Sequence, residues 1–336
     1  MLRFLDSFNH YATADGYLKW TRFGLGASIE SITPVGPLTG TALRAQSSTT
    51  DKTFSSTAGA CTIGVWHQTQ AFTNQPFKVY NVLDGTDVRL QENGAGKFQI
   101  VCSGGATTLL PDIRSLNTWY FVEFVIDFIG QTAEVWMISM TDYLAGGSPT
   151  QNGTTVALTG TQQSACSFWL QGPGGGFNST FKDLYVTDGE RLGPIWINCI
   201  YPRAEGNVDE WIGIDSALAN YEQINEHSPD FEGNYLVSLL SGEAARYYLD
   251  LVNSDRLIMG AQAVRLLHKS DPGVTASITP QWRNFAGTVY EDTPDYYPAA
   301  YDYEYQHRAY RYSPFTGSSF TAAGIDASQL GLERSS

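Results

Sequence analysis

Charge is scarce in this chain. Only 16% of its 336 residues are Asp, Glu, Lys or Arg, and acid outweighs base 34 to 20, for a formal net charge of −14. A balance of that sign argues against nucleic acid as a direct partner, because binding its backbone means neutralising phosphates with Lys and Arg. It favours solubility. The four cysteines, Cys61, Cys102, Cys166 and Cys199, show no Cys-x-x-Cys spacing, which argues against zinc. Cys61, Cys102 and Cys166 lie in or beside apolar runs and read as small buried hydrophobes, with one disulfide left open. The five histidines, His10, His67, His227, His268 and His307, are scattered without His-Glu-x-x-His or His-x-His spacing. There is no Gly-x-Ser-x-Gly elbow. No apolar run approaches the roughly 20 residues of a membrane helix, so no membrane insertion is expected. Met1 to Asp6 holds no apolar signal-peptide segment, so synthesis in a cytoplasm is expected. On that expectation the sequons at Asn152 and Asn178 stay unmodified.

Glycine and aromatics are what the chain has in quantity: 33 Gly, 19 Tyr, 17 Phe and 8 Trp. With Thr, they favour half-buried strands joined by tight turns, while helix formers at helical spacing are few. Up to about residue 190 the chain reads as a succession of short strands. Cys61–Gln68, Phe77–Leu83, Asp87–Gln91 and Lys97–Cys102 alternate, with hairpin signals at Asp84-Gly85 and Glu92-Asn93-Gly94. Trp119–Phe128 is the longest apolar run and suits a central strand. Its side Tyr120, Val122, Phe124, Ile126 and Phe128 is uninterruptedly apolar and must face the core. Trp119, Phe121, Glu123, Val125 and Asp127 share the other side. Trp66, Phe98, Trp119, Phe121, Val125, Trp136 and Trp169 are expected to be mostly buried, Trp119 and Phe121 only at a sheet end or under a loop. Residues 141–165 are polar and rich in Gly, Thr and Ser and read as a long surface loop. The stretch Phe181–Val186 matches Phe4–Tyr11 in pattern, and the two are expected side by side in one domain.

The chain is therefore expected to be all-β, with an antiparallel β-sandwich over 1–190 and a second β-rich domain over 191–336, itself a sandwich. In the second, Ile258–Leu267 is expected to be a strand despite its Ala and Leu content. Phe320 to Leu330 holds a short helix starting near Thr321 or Asp326.

Little of this sequence carries chemistry. Glu123 and Asp127 stand four residues apart, on one side of a strand; glycosidase work needs a second carboxylate across a cleft, and the plainer reading is a solvent-facing row. Gly172–Gly176 lacks the lysine and helix of a phosphate loop. Asp215, Glu222, Glu226 and Asp230 lack EF-hand spacing and read as a solvated acidic loop. The tract from Tyr290 to Tyr305 is different. Tyr290, Tyr296, Tyr297, Tyr301, Tyr303 and Tyr305 offer rigid amphipathic area that suits an interface or sugar stacking. Pro294 and Pro298 keep the tract irregular, and the alternative is a loop packed on its own domain.

With these residues in view, the chain resembles a family of tailed-bacteriophage virion structural proteins. The N-terminal half is similar to a concanavalin A-like (laminin G-type) sandwich. The matching pieces are Asp6–Tyr11, Thr41–Arg44, Asn117–Glu123 and Phe181–Val186. In the C-terminal half they are Gly193–Pro202, Trp211, Tyr221–Glu226, Ala263–Arg265, Lys269–Asp271 and Pro314–Ala323. The resemblance implies a concanavalin A-like jelly roll and a non-enzymatic protein on the virion surface, with capsid or tail proteins as partners. It brings no catalytic residue, metal or cofactor. A homo-oligomer is expected, with a trimer favoured. The alternative is a lectin-like receptor-binding protein that attaches to host glycans, and the third reading is a glycan depolymerase acting through Glu123.

Overall fold

The structure, a computed structural model, describes the chain apart from residues 10–12, 14–18, 47–48, 58, 73–74, 81–85, 104–106, 159–164, 174, 225–235, 253–256, 268–276, 293–294, 297–303 and 336. Within strands it describes the backbone alone for 54–57, 165–166, 263–267, 295–296 and 304–308. The chain divides into two compact units, 1–197 and 198–336.

The first unit begins with β1 (Leu2–Asp6), β2 (Ala27–Ser31), β3 (Thr41–Ala45), β4 (Thr49–Thr57) and β5 (Ala60–Thr69). There follow β6 (Phe77–Tyr80), β7 (Asp87–Glu92), β8 (Lys97–Cys102), β9 (Thr107–Ile113), β10 (Tyr120–Asp127) and β11 (Thr132–Ser139). Helix α1 (Met140–Leu144) precedes β12 (Thr150–Gln151), β13 (Val156–Ala157), β14 (Ala165–Gln171) and β15 (Ser179–Thr187). A nine-stranded sheet runs β12-β11-β10-β5-β15-β3-β2, with β1 on β15 and β13 on β11. A six-stranded sheet runs β4-β14-β6-β7-β8-β9. Every pairing in both is antiparallel among the described residues, the all-β architecture expected from the sequence. The two sheets enclose one core. Phe4, Ile63, Val65, Val122, Phe124, Ile126, Phe181 and Val186 come from the first sheet; Phe77, Val79, Leu90, Phe98, Ile100, Phe168 and Leu170 come from the second.

The two ends of the unit meet as expected. β1 pairs with β15, with Phe4 opposite Val186 and Asp6 opposite Leu184. The strand stops at Asp6, whose Oδ1 accepts the Phe8 N–H at 2.8 Å where Phe8 turns to φ 61°. The uninterrupted side of β10 is core, as the pattern requires. Its other side is not a solvent-facing row. Glu123 is fully buried, and Trp119 and Phe121 are buried with it.

The cause is a strap, residues 190–196, laid over the outer face of the nine-stranded sheet. Gly64 starts it: a Cβ there would fall 2.1 Å from the Tyr185 ring, so only glycine lets that ring cross β5. Tyr185 thereby points its hydroxyl at the Glu123 carboxylate and donates to it. Burial, then the Glu123 charge, push the phenol well above its usual range, so it stays a donor. Glu123 also accepts from Arg191 Nε at 2.9 Å and from the Gly193 N–H at 2.8 Å. The Leu192 N–H donates to Tyr185 at 3.0 Å. Arg191 lies 3.6 Å above the Trp136 ring, and Trp196 stacks on Trp66 at 5.2 Å. Trp136 and Val125 are accordingly half-buried rather than core. The described part of the expected loop, residues 141–158, holds regular structure. Ser139 caps α1 by accepting the Asp142 N–H, and two short strands follow.

A second charged group bridges the sheets inside the core. Arg114 donates to Glu92 and lies 3.2 Å from His67 Nδ1, with its guanidinium 3.7 Å above the Phe98 ring. Burial holds His67 well below its usual range, with Arg114 adding to the effect, and raises Glu92 to about 7 against the opposing pull of Arg114.

The second unit holds β16 (Pro202–Asp209), β17 (Ile212–Gly213), β18 (Leu236–Val237), β19 (Ala244–Leu249) and β20 (Ala261–Leu267). It continues with β21 (Ser277–Arg283), β22 (Val289–Glu291), β23 (Asp295–Tyr296), β24 (Glu304–Tyr310), α2 (Ala322–Asp326) and β25 (Gln329–Arg334). Five strands run β16-β19-β25-β21-β22, with β23 added on β21. Separate ribbons pair β17 with β18 and β20 with β24. Ala261–Leu267 is a strand, as expected. The short helix is capped by Thr321, whose Oγ1 accepts the Gly324 N–H at 3.0 Å.

Candidate functional site

The site is built by alternation on the six-stranded sheet. Phe168 and Leu170 of β14 point into the core, so Trp169 between them faces out. The same alternation turns Lys78 and Tyr80 outward on β6, and Asp87, Arg89 and Gln91 on β7. On β8 it turns Lys97, Gln99 and Val101 outward. Register then aligns one cross-strand row: Asp51, Trp169, Lys78, Arg89, Val101. Gln91 sits opposite Gln99 on the next rung.

The row is knit by charge and ring contacts. Arg22 reaches it from outside the strand ladder, pairs with Asp51 at 2.5 Å and lies 5.1 Å from the Trp169 ring centre. Lys78 Nζ lies 4.2 Å from the same ring centre, and Tyr80 meets it edge-on at 5.1 Å. Such cation–ring contacts contribute about 0.5–2 kcal/mol each, more as water is excluded. Asp87 receives two cations, Lys78 at 2.9 Å and Arg89 at 2.7 Å. Side-chain exposure falls from 54% at Arg22 and 31% at Arg89 to 17% at Lys78, so the row is bedded in the face with cations at its rim. Burial, the largest influence, raises Asp51, and Arg22 works against it. The Trp169 Nε1–H is buried and has no acceptor.

This placement corrects the expectation that Trp169 is core. Applying the period-2 rule to Ser167–Leu170 alone would have placed it outside. The tyrosine tract is a different matter. Tyr290 lies in β22, half-buried, with its ring 6.4 Å from that of Phe315. Tyr296 is in β23, opposite Ser277, and Tyr305 is in β24, opposite Leu266. The prolines therefore do not keep the whole tract irregular: a proline removes only its own N–H, and two residues between prolines still pair at an edge. Tyr297, Tyr301 and Tyr303 lie outside the described residues. Glu123 is spent on the strap, and Asp127 accepts the Ile129 and Gly130 N–H groups of the following turn. Among the described residues no group of three or more His, Cys, Asp or Glu is placed to hold a metal.

No family model matches this chain, and no curated protein matches it. Solved structures do. Basic winged bean lectin with Tn-antigen is 13% identical, over 55% of this chain and 97% of that one, with a TM-score of 0.33. The catalytic domain of a glycoside hydrolase family 131 protein from Coprinopsis cinerea is 14% identical, over 56% and 95%, at 0.36. A tail fiber protein from an E. coli phage is 14% identical, over 42% and 16%, at 0.27.

Proposed function

We propose that the protein is a non-catalytic carbohydrate-binding component of a phage particle, taking a host-surface glycan on the outer face of its six-stranded sheet. The observation that carries this reading is the Trp169 row: an outward indole on a rigid sheet, with cations and amides at set positions around it. Aromatic area with a few placed polar groups is what sugar recognition needs. The carboxylates on this face support binding over hydrolysis. Asp51 is on β4 and Asp87 on β7, three strand spacings or about 14 Å apart, wider than the roughly 5–9.5 Å of a glycosidase pair. Each is already engaged by arginine or lysine. The particle setting rests on the sequence resemblance, and a trimer would turn weak single-site contacts into avidity.

Trp169→Ala is expected to weaken glycan binding at least about tenfold, or about 1.4 kcal/mol, while Trp169→Phe keeps part of it. A glycan array followed by calorimetry on the best ligand checks this. Wild-type binding that survives Trp169→Ala unchanged would move the site elsewhere, and an array without binding would remove the reading. Mass spectrometry of purified particles tests the virion setting, and native mass spectrometry tests the trimer.

A further inference from the structure

We infer that the glycan bound on this face is acidic, bearing carboxylate or sulfate groups, and that Arg22, Lys78 and Arg89 select it; this rests on the glycan-binding reading above. The chain as a whole carries 14 more acidic than basic residues. This face reverses the balance: among the described residues it presents Arg22, Lys78, Arg89 and Lys97 against Asp51 and Asp87. Pairing inside the row does not cancel the excess. Arg22 has Asp51 to itself, but Lys78 and Arg89 converge on the single carboxylate of Asp87. One positive charge is left over at the centre of the row, and Lys97 adds another two rungs along.

Keeping cations together beside an indole, in an acidic protein, costs repulsion that a ligand anion relieves. Arg22 and Arg89 bracket Trp169 and Lys78 across β4 to β7, about 14 Å of sheet, so a short oligosaccharide spans the row. The guanidinium fork suits carboxylate or sulfate. Gln91 and Gln99, side by side on the adjoining rung, supply neutral donors and acceptors for hydroxyl groups. The outward indole of Trp169 beside the cations, an aromatic surface suited to a sugar ring, favours a sugar acid over an acidic protein.

The test uses the full chain against four immobilised polymers: polygalacturonate, its methyl ester, a sulfated polysaccharide and polyglutamate, together with a neutral glycan panel. The expected result is binding to polygalacturonate or the sulfated chain, at least tenfold weaker binding to the methyl ester and to polyglutamate, and several-fold weakening between 50 and 200 mM salt, on the order expected from screening of charges at the rim. Arg89→Gln, at the rim of the row and with Lys78 left to pair Asp87, should lose acid selectivity and keep the wild-type melting curve. Equal binding to polygalacturonate and its methyl ester, or to neutral glycans alone, overturns the acidic ligand and leaves the glycan reading standing. Binding to polyglutamate as tight as to any polysaccharide overturns both in favour of an acidic protein partner. No binding to any polymer or neutral glycan also overturns both.

Discussion

Glu123→Ala is expected to cost the first unit about 3–5 kcal/mol, the range for removing one member of a buried ion pair. The carboxylate serves three donors at once: the Tyr185 hydroxyl, Arg191 Nε and the Gly193 N–H. Arg191 is 32% exposed and finds water when its partner goes, but Tyr185 is fully buried and does not. An orphaned buried donor costs about 1–3 kcal/mol by itself. Loss of the strap would also uncover the Trp66–Trp196 stack. Arg191→Ala should be milder, about 1–3 kcal/mol, because the carboxylate keeps two donors and the guanidinium is partly solvated. Hydrogen exchange read peptide by peptide separates the two. Arg191→Ala should speed exchange over residues 190–197 and little else, whereas Glu123→Ala should lower protection through β5, β10 and β15. A Glu123→Ala protein with wild-type exchange at Leu192 and Gly193 would mean that the carboxylate does not hold the strap.

The same residues show how far the sequence could be read. The core side of β10 was legible because five apolar residues alternate without a break, and period-2 geometry leaves them one place to go. The hairpin from β7 to β8 was legible in Glu92-Asn93-Gly94: Asn93 Oδ1 accepts the Ala95 and Lys97 N–H groups and closes the turn. The other side of β10 was not legible. An alternating strand tells which residues share a side, never what covers them, and here the cover arrives from residues 185 to 196. Gly64 inside an apolar strand was the one local mark of a close approach; the ring that fills it is distant in sequence. The Trp169 row lies at the opposite limit. The strands of Lys78, Arg89 and Val101 were recognisable and that of Asp51 was not, and what made a site of them was register, which aligns Asp51, Trp169, Lys78 and Arg89 and is not written in any single strand. The tract chosen from composition, Tyr290 to Tyr305, stood out because Tyr is concentrated there, yet Tyr290 is engaged in packing.

Asp183→Asn is expected to make the protein more stable than wild type at pH 8 and to flatten its pH dependence. Asp183 sits at a bulge in β15 with φ 52°, where Asp and Asn are the side chains best tolerated after glycine. It is 3% exposed, and its Oδ1 has no hydrogen-bond partner. Burial raises the carboxyl from 3.8 to about 7, with Asp6 pushing the same way and Lys182 and the Ile197 N–H opposing. Between those values the folded chain keeps a proton that the unfolded chain has lost. Stability therefore falls as pH rises from about 4 to about 7 and levels off above. Glu92, raised by burial to about 7, acts with the same sign. His67 acts with the opposite sign: held neutral by burial, it removes stability as pH falls through its ordinary range near 6.5. Both contributions are common to wild type and variant, so the difference between the two curves isolates Asp183. That difference should be near zero or negative at pH 4 and grow to about 1–3 kcal/mol at pH 8, after allowing for an amide N–H₂ placed in the same buried site. Urea titrations of both proteins at half-unit pH intervals measure it directly. A difference that stays constant from pH 4 to pH 8 would mean that Asp183 is ionised throughout, held by Lys182, and that the bulge stabilises the charge it buries.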